Sequence, residues 1–125
     1  MTIKGSCLCG GVTFEVTGPL PEGVACHCGQ CRKNSGHYWA SVHVPEKDLK
    51  LNSDAGLLWY SASDIARRGF CQTCGSTLFW NPHEEDKISI SLGALEAPTG
   101  TVIQKHIFTA DKGDYYSISD GLKQS

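Results

Sequence analysis

At 125 residues, 40% of them apolar and fourteen of them glycine, the chain has material for one turn-rich hydrophobic core and too little for two, so residues 1–125 are read as a single domain. Eleven basic residues against thirteen acidic ones leave a net charge of −2, without the basic balance that nucleic-acid binding draws on. The opening Met1-Thr2-Ile3-Lys4-Gly5-Ser6 holds no apolar leader and no later run approaches the ~18 apolar residues that span a bilayer, so the expectation is a soluble cytoplasmic protein with no membrane partner.

Residues 11–17 alternate apolar and polar side chains, the period of a half-buried strand, and Gly18-Pro19-Leu20-Pro21 stops them. Residues 37–44, closed by Pro45, are rich in aromatic and branched side chains, as are 57–60 and 78–80, and all three segments read as strands. A short helical turn is expected at His83-Glu84-Glu85-Asp86, too polar to organise a core. Residues 87–92 alternate again, 102–108 and 115–118 complete the strands, and 120–125 read as a frayed tail. With no long amphipathic helix, the pattern predicts a mainly β fold: two small antiparallel sheets packed together, or a partly closed barrel. Trp39, Trp59 and Trp80 are read as core side chains.

Seven cysteines fall mainly in the turns, as Cys7-Leu8-Cys9, Cys26-His27-Cys28-Gly29-Gln30-Cys31 and Cys71-Gln72-Thr73-Cys74. In a reducing compartment such clusters are more often ligands or catalysts than disulfides, and an odd count leaves one thiol over. Zinc takes thiolates in closed tetrahedral groups of four, or in threes with an open position, and seven divides accordingly. Cys71-x-x-Cys74, followed by Gly75-Ser76, has the form of a zinc knuckle, and Cys7-x-Cys9-Gly10-Gly11 is its natural partner. Together they would make a closed structural site; the alternative is two ordinary buried cysteines beside a Cys71/Cys74 redox pair.

Cys26, Cys28 and Cys31 can wrap one ion from a single loop and leave its fourth position to solvent, to a substrate, or to one of His27, His37, His43, His83 and His106. Three thiolates make the ion a weak activator of water but a soft host for another sulfur, which favours a thiol substrate and the making or breaking of a carbon–sulfur bond. Two blander readings compete: a dithiol redox pair at Cys28 and Cys31, and a second structural site completed by a histidine.

Four ordered segments resemble the glutathione-dependent formaldehyde-activating enzyme (GFA) family: Gly5 to Val12, Cys26 to Lys33, Phe70 to Phe79, and His106-Ile107-Phe108. The resemblance covers nearly the whole chain as one GFA-type domain. It implies a zinc-containing β-tent of short antiparallel sheets. It also implies two zinc ions, a structural one on Cys7, Cys9, Cys71 and Cys74 and a catalytic one on Cys26, Cys28 and Cys31. The implied activity is that of a carbon–sulfur lyase which condenses formaldehyde with glutathione to S-(hydroxymethyl)glutathione. Relatives of the same fold that are non-enzymatic binding modules supply the rival reading. The family's usual proline-tryptophan pair and Leu-Pro ending are replaced here by Asp111 to Tyr116 and Gly121 to Gln124.

Of the cations that could meet glutathione's carboxylates, Arg32, Lys33, Arg67, Arg68 and Lys105, each reads first as solvated surface, and Arg32, beside Cys31, is the foremost candidate. His106 is expected to hydrogen-bond beside the sheet, with a proton-donor role near the open position as the alternative. His27 is expected to face away from the ligands on either side of it.

Overall fold

A computed structural model describes residues 1–125. Its elements are β1 (Thr2–Ser6), β2 (Thr13–Thr17), β3 (Gly23–Cys26), α1 (Gly29–Ser35), β4 (Trp39–Pro45), β5 (Leu49–Ser53), β6 (Leu57–Tyr60), β7 (Ala66–Cys71), β8 (Thr77–Pro82), β9 (Lys87–Ser91), β10 (Ile103–Ile107) and β11 (Lys123–Gln124). They form a three-stranded sheet, β1-β2-β5, and an eight-stranded sheet in the order β11-β10-β3-β4-β9-β8-β7-β6. The small sheet is antiparallel throughout.

The large sheet departs from the antiparallel expectation at one end, where β10 runs parallel to both β3 and β11. The connection from β9 to β10 is long enough to carry the chain back across the sheet, which a parallel pairing requires and a tight turn cannot supply.

The period-two alternation decides what each face of the large sheet does. Val42 and Val44 of β4, Ile88 and Ile90 of β9, and Phe79 of β8 meet Ile3, Phe14 and Val16 of the small sheet in one core. Phe14 and Phe79 pack edge-on at its centre, with centroids 5.1 Å apart. Gly5 sits where a Cβ would come within 2.4 Å of the Phe14 ring, so the backbone of β1 can approach only as glycine. The opposite face carries a transverse row of partners, His43 (β4), Ser89 (β9), Trp80 (β8) and Arg68 (β7).

Most sequence-predicted strands appear within a residue or two, and three expectations fail. Residues 83–86 form the tight turn of the β8–β9 hairpin rather than a helical turn, because β8 ends at Pro82 and β9 begins at Lys87, which leaves only four residues to reverse the chain. Tyr115 to Ile118 form no strand: the Tyr116 carbonyl accepts a 2.7 Å bond from Lys112 Nζ, and its hydroxyl is engaged by His27. The C-terminal segment is not frayed, because Ser125 donates its N–H to the His106 carbonyl (3.0 Å) and accepts from Thr109 N–H (3.0 Å).

Candidate functional site

Cys7 and Cys9 lie in the β1–β2 turn, Cys71 ends β7, and Cys74 lies in the turn to β8. Their four sulfurs fall within 4.8 Å of one another, with Cys7–Cys9 at 3.6 Å and Cys9–Cys71 at 3.7 Å. A tetrahedral ion with bonds of about 2.3 Å holds its sulfurs ~3.8 Å apart, a spacing these two pairs match closely. The two turns repeat one device. The Gly10 N–H bonds the Cys7 carbonyl (3.2 Å) and the Gly75 N–H the Cys71 carbonyl (2.7 Å), with both glycines at positive φ, +80° and +78°. Ser76, which sequence reasoning passed over, links the turns: its hydroxyl accepts from Leu8 N–H (2.9 Å) and lies 3.2 Å from Cys74 Sγ.

The thiols titrate against one another. The Ser76 hydroxyl leads in lowering Cys74 to about 5. At Cys9 the Gly11 amide pulls downward, yet Cys7, burial and the other two thiols outweigh it and raise the group to about 11. Such crowding of weak acids is what a dication relieves, by displacing their protons.

Cys26 ends β3, Cys28 is the N-cap of α1, and Cys31 lies in its first turn. The Cys28 sulfur accepts from Cys31 N–H at 3.3 Å, and the three sulfurs lie within 4.8 Å of one another. No histidine nitrogen or carboxylate lies within 4.8 Å of all three sulfurs, although His43 lines the same cavity. Arg68 Nη2 donates to Cys31 Sγ at 3.6 Å and to Gln30 Oε1 at 3.3 Å. The neighbouring Cys26 thiol, with Arg68 behind it, lowers Cys31 to about 6, whereas Cys31 and burial push Cys26 well above the usual thiol range.

The triad opens into a cavity of about 560 Å³ whose wall includes Trp39, Trp80, Ile107 and Phe108, together with Ser89 and His43. Ser89 is hydrogen-bonded to His43 Nδ1, and burial, then Lys105 and Lys87, hold the His43 pKa below its ordinary value. Trp39 is buried as expected, in a small second core cluster with Cys26 and Cys31 against which Trp80 packs, and both rings also wall the cavity, because their strand positions fall on the large sheet's outer face. Trp59 packs on the main core, against Phe79 and beneath Arg67.

The foremost cation is corrected as well. Arg32 is not in this wall, while Arg68, read as solvated surface, is buried in it. Lys105 pairs with Glu22 at 3.5 Å, Arg67 Nε bonds Asn81, and Lys33 is exposed.

His27 does turn away from the triad, onto the other side of β3. His27 Nδ1 lies 2.5 Å from the Tyr116 hydroxyl, His27 Nε2 lies 2.8 Å from His106 Nδ1, and His106 Nε2 lies 2.8 Å from Asp120. These partners assign one consistent set of tautomers: Tyr116 donates to His27, His27 to His106, and His106 to the carboxylate. Burial keeps His27 neutral by lowering its pKa and keeps Tyr116 protonated by raising its own. His106 thus belongs to this relay and not to the cavity, which removes it as a proton donor there.

Sheets, turns and thiols define a class: a small β protein carrying two cysteine clusters whose make-up and spacing fit metal ions, one sealed by four donors and one open to a cavity. A family profile described as "Glutathione-dependent formaldehyde-activating enzyme" matches residues 2–111, and the chain belongs to that family. An uncharacterized lyase of Schizosaccharomyces pombe is 31% identical over 78 residues, 62% of this chain and 56% of that protein, so the match spans just over half the relative's length. A Halomonas elongata protein, provisionally named a glutathione-dependent formaldehyde-activating enzyme, is 26% identical over 128 residues, 94% of this chain and 82% of its own. A crystal structure of a Rhodobacter sphaeroides protein shares the fold, with TM-score 0.65 and 25% identity, covering 75% of this chain and 88% of that one.

Proposed function

We propose that residues 1–125 form one zinc-dependent carbon–sulfur lyase domain that acts on a thiol adduct, with glutathione as the thiol. Cys26, Cys28 and Cys31 would hold the catalytic ion, and Cys7, Cys9, Cys71 and Cys74 the structural one. The observation that carries this reading is the three-thiol group, joined by no fourth protein ligand, at the wall of a substrate-sized cavity. When bound, zinc supplies a soft Lewis acid with affinity for a substrate sulfur.

The chain's own residues do the rest. Arg68 presents a guanidinium beside Cys31 and keeps negative charge favourable at the sulfur end of the cavity. Its Nη1 and the indole Nε1 of Trp39 are buried donors without a partner, on two residues of the cavity wall. His43, held neutral, has Nδ1 on Ser89, which leaves Nε2 to give or take the proton of a carbonyl or hydroxyl. Apolar walls exclude water that would compete for the adduct. The seven cysteines are all free thiols, in keeping with a cytoplasmic setting.

Cys28→Ser is the test. The lyase reading expects loss of glutathione–formaldehyde turnover, followed by NMR exchange, with the fold retained by circular dichroism. A folded variant with undiminished turnover would overturn it.

A further inference from the structure

Resting on the lyase reading of this cavity, we infer that the adduct it takes carries an apolar group of aromatic or six-carbon size, rather than the single carbon of formaldehyde. Three observations converge. The wall is built of Val24, Trp39, Ile65, Trp80, Ile107 and Phe108, while its polar members are largely engaged with one another, Ser89 with His43 and Gln30 with Arg68. At about 560 Å³ the space suits a substantial ligand, whereas a one-carbon carbonyl needs little more than a water's share of ~30 Å³. Two wall residues leave large apolar surfaces in water: Ile65 is 71% and Phe108 57% exposed.

Phe108 is the more telling of the two. It is the chain's one non-glycine residue at positive φ, with φ 54° and ψ 40° where β10 ends, a left-handed conformation that crowds its Cβ against the backbone. The 3₁₀ turn that follows helps hold it there, with Asp111 N–H bonded to the Phe108 carbonyl at 3.1 Å. A strained and solvated aromatic beside a thiol-lined cavity has a use if an apolar ligand covers it. Charge agrees with this division. The cavity offers one guanidinium to a tripeptide with two carboxylates, so the sulfur and its apolar substituent are the parts that fit inside.

The reaction is cleavage or formation of a hemithioacetal, R–CH(OH)–S–R′ ⇌ R–CHO + R′–SH. The carbon–sulfur bond breaks with its electron pair on sulfur, the hydroxyl proton leaves as the carbonyl forms, and a proton ends on the sulfur. Nothing is oxidised or reduced.

S-hexylglutathione and S-methylglutathione, stable thioethers with a large and a small substituent, test the inference by calorimetric titration of the zinc-loaded full chain. Each buried methylene strengthens binding about fourfold, so partial burial of five more predicts at least a ~30-fold preference for the hexyl compound. Phe108→Ala should shrink that ratio to below about tenfold. Affinities within about threefold of each other, or no binding of either, would overturn the inference. Turnover of glutathione with formaldehyde and with hexanal is measured separately. Absence of turnover with formaldehyde and with hexanal alike, alongside a strong hexyl preference, would sink the lyase reading while upholding the apolar one.

Discussion

Arg68 is 6% exposed, and its guanidinium is divided between Gln30 Oε1 and the Cys31 sulfur. Sequence alone could not single it out. Arg67 and Arg68 are adjacent, and only the register that sets Arg68 opposite Trp80 sends it to the cavity while Arg67 lies 3.9 Å over Trp59. Lysine preserves the charge but not the planar fork that reaches two acceptors at once. A charge-assisted hydrogen bond is worth about 1.5–3 kcal/mol, so Arg68→Lys should lower kcat/KM by roughly ten- to a hundredfold. Circular dichroism and zinc content should stay as in the parent. A variant within twofold of the parent would show that the fork has no part in the reaction.

Among the elements, the amphipathic strands were legible and the pieces that owe their place to polar partners were not. β2, β4 and β9 announce themselves because one face of each is buried apolar side chains. β7 carries two arginines whose charges find local partners, and β3, buried along its whole length, has no alternation to read. The same holds at the C-terminus, where a polar segment is tied down by Asp120 through His106 to His27. The seven cysteines could be divided four and three from spacing, yet the cavity beside the triad depends on strand order across the large sheet.

The Asp120 carboxylate is held below its ordinary pKa, first by the bond from His106 and then by Leu122 N–H (3.1 Å). A carboxyl lowered in the folded state stabilises it fully above its unfolded value of about 3.9 and loses that contribution as pH falls through the folded value. Amide signals of Leu122 and Gln124 should therefore move together on acidification from pH 6 to pH 3, with those of β2 unmoved. Asp120→Ala should give the acid-like tail signals at pH 7. Tail amides indifferent to both changes would mean that the relay does not anchor the segment.

For the whole molecule, the two thiol groups stand in different relations to the fold. Cys7 and Cys9 belong to the hairpin of the small sheet and Cys71 and Cys74 to the β7–β8 turn of the large one, so an ion among them bridges the two layers of the main core. Cys26, Cys28 and Cys31 join only the end of β3 to α1, beside a separate small cluster with Trp39. Zinc bound by such a closed site contributes about 10–16 kcal/mol, as much as the whole stability of an ordinary domain, whereas an open site tied to one loop contributes to the fold only locally. A chelator should then remove zinc in two stages. The first ion should leave with turnover lost and the far-UV spectrum intact; the second should leave together with the cooperative thermal transition. Cys71→Ser should reproduce the second stage outright, failing to show that transition even in excess zinc. Loss of both ions in a single step, coincident with unfolding, would mean that the three-thiol group is as structural as the four-thiol one and that its open side serves no ligand.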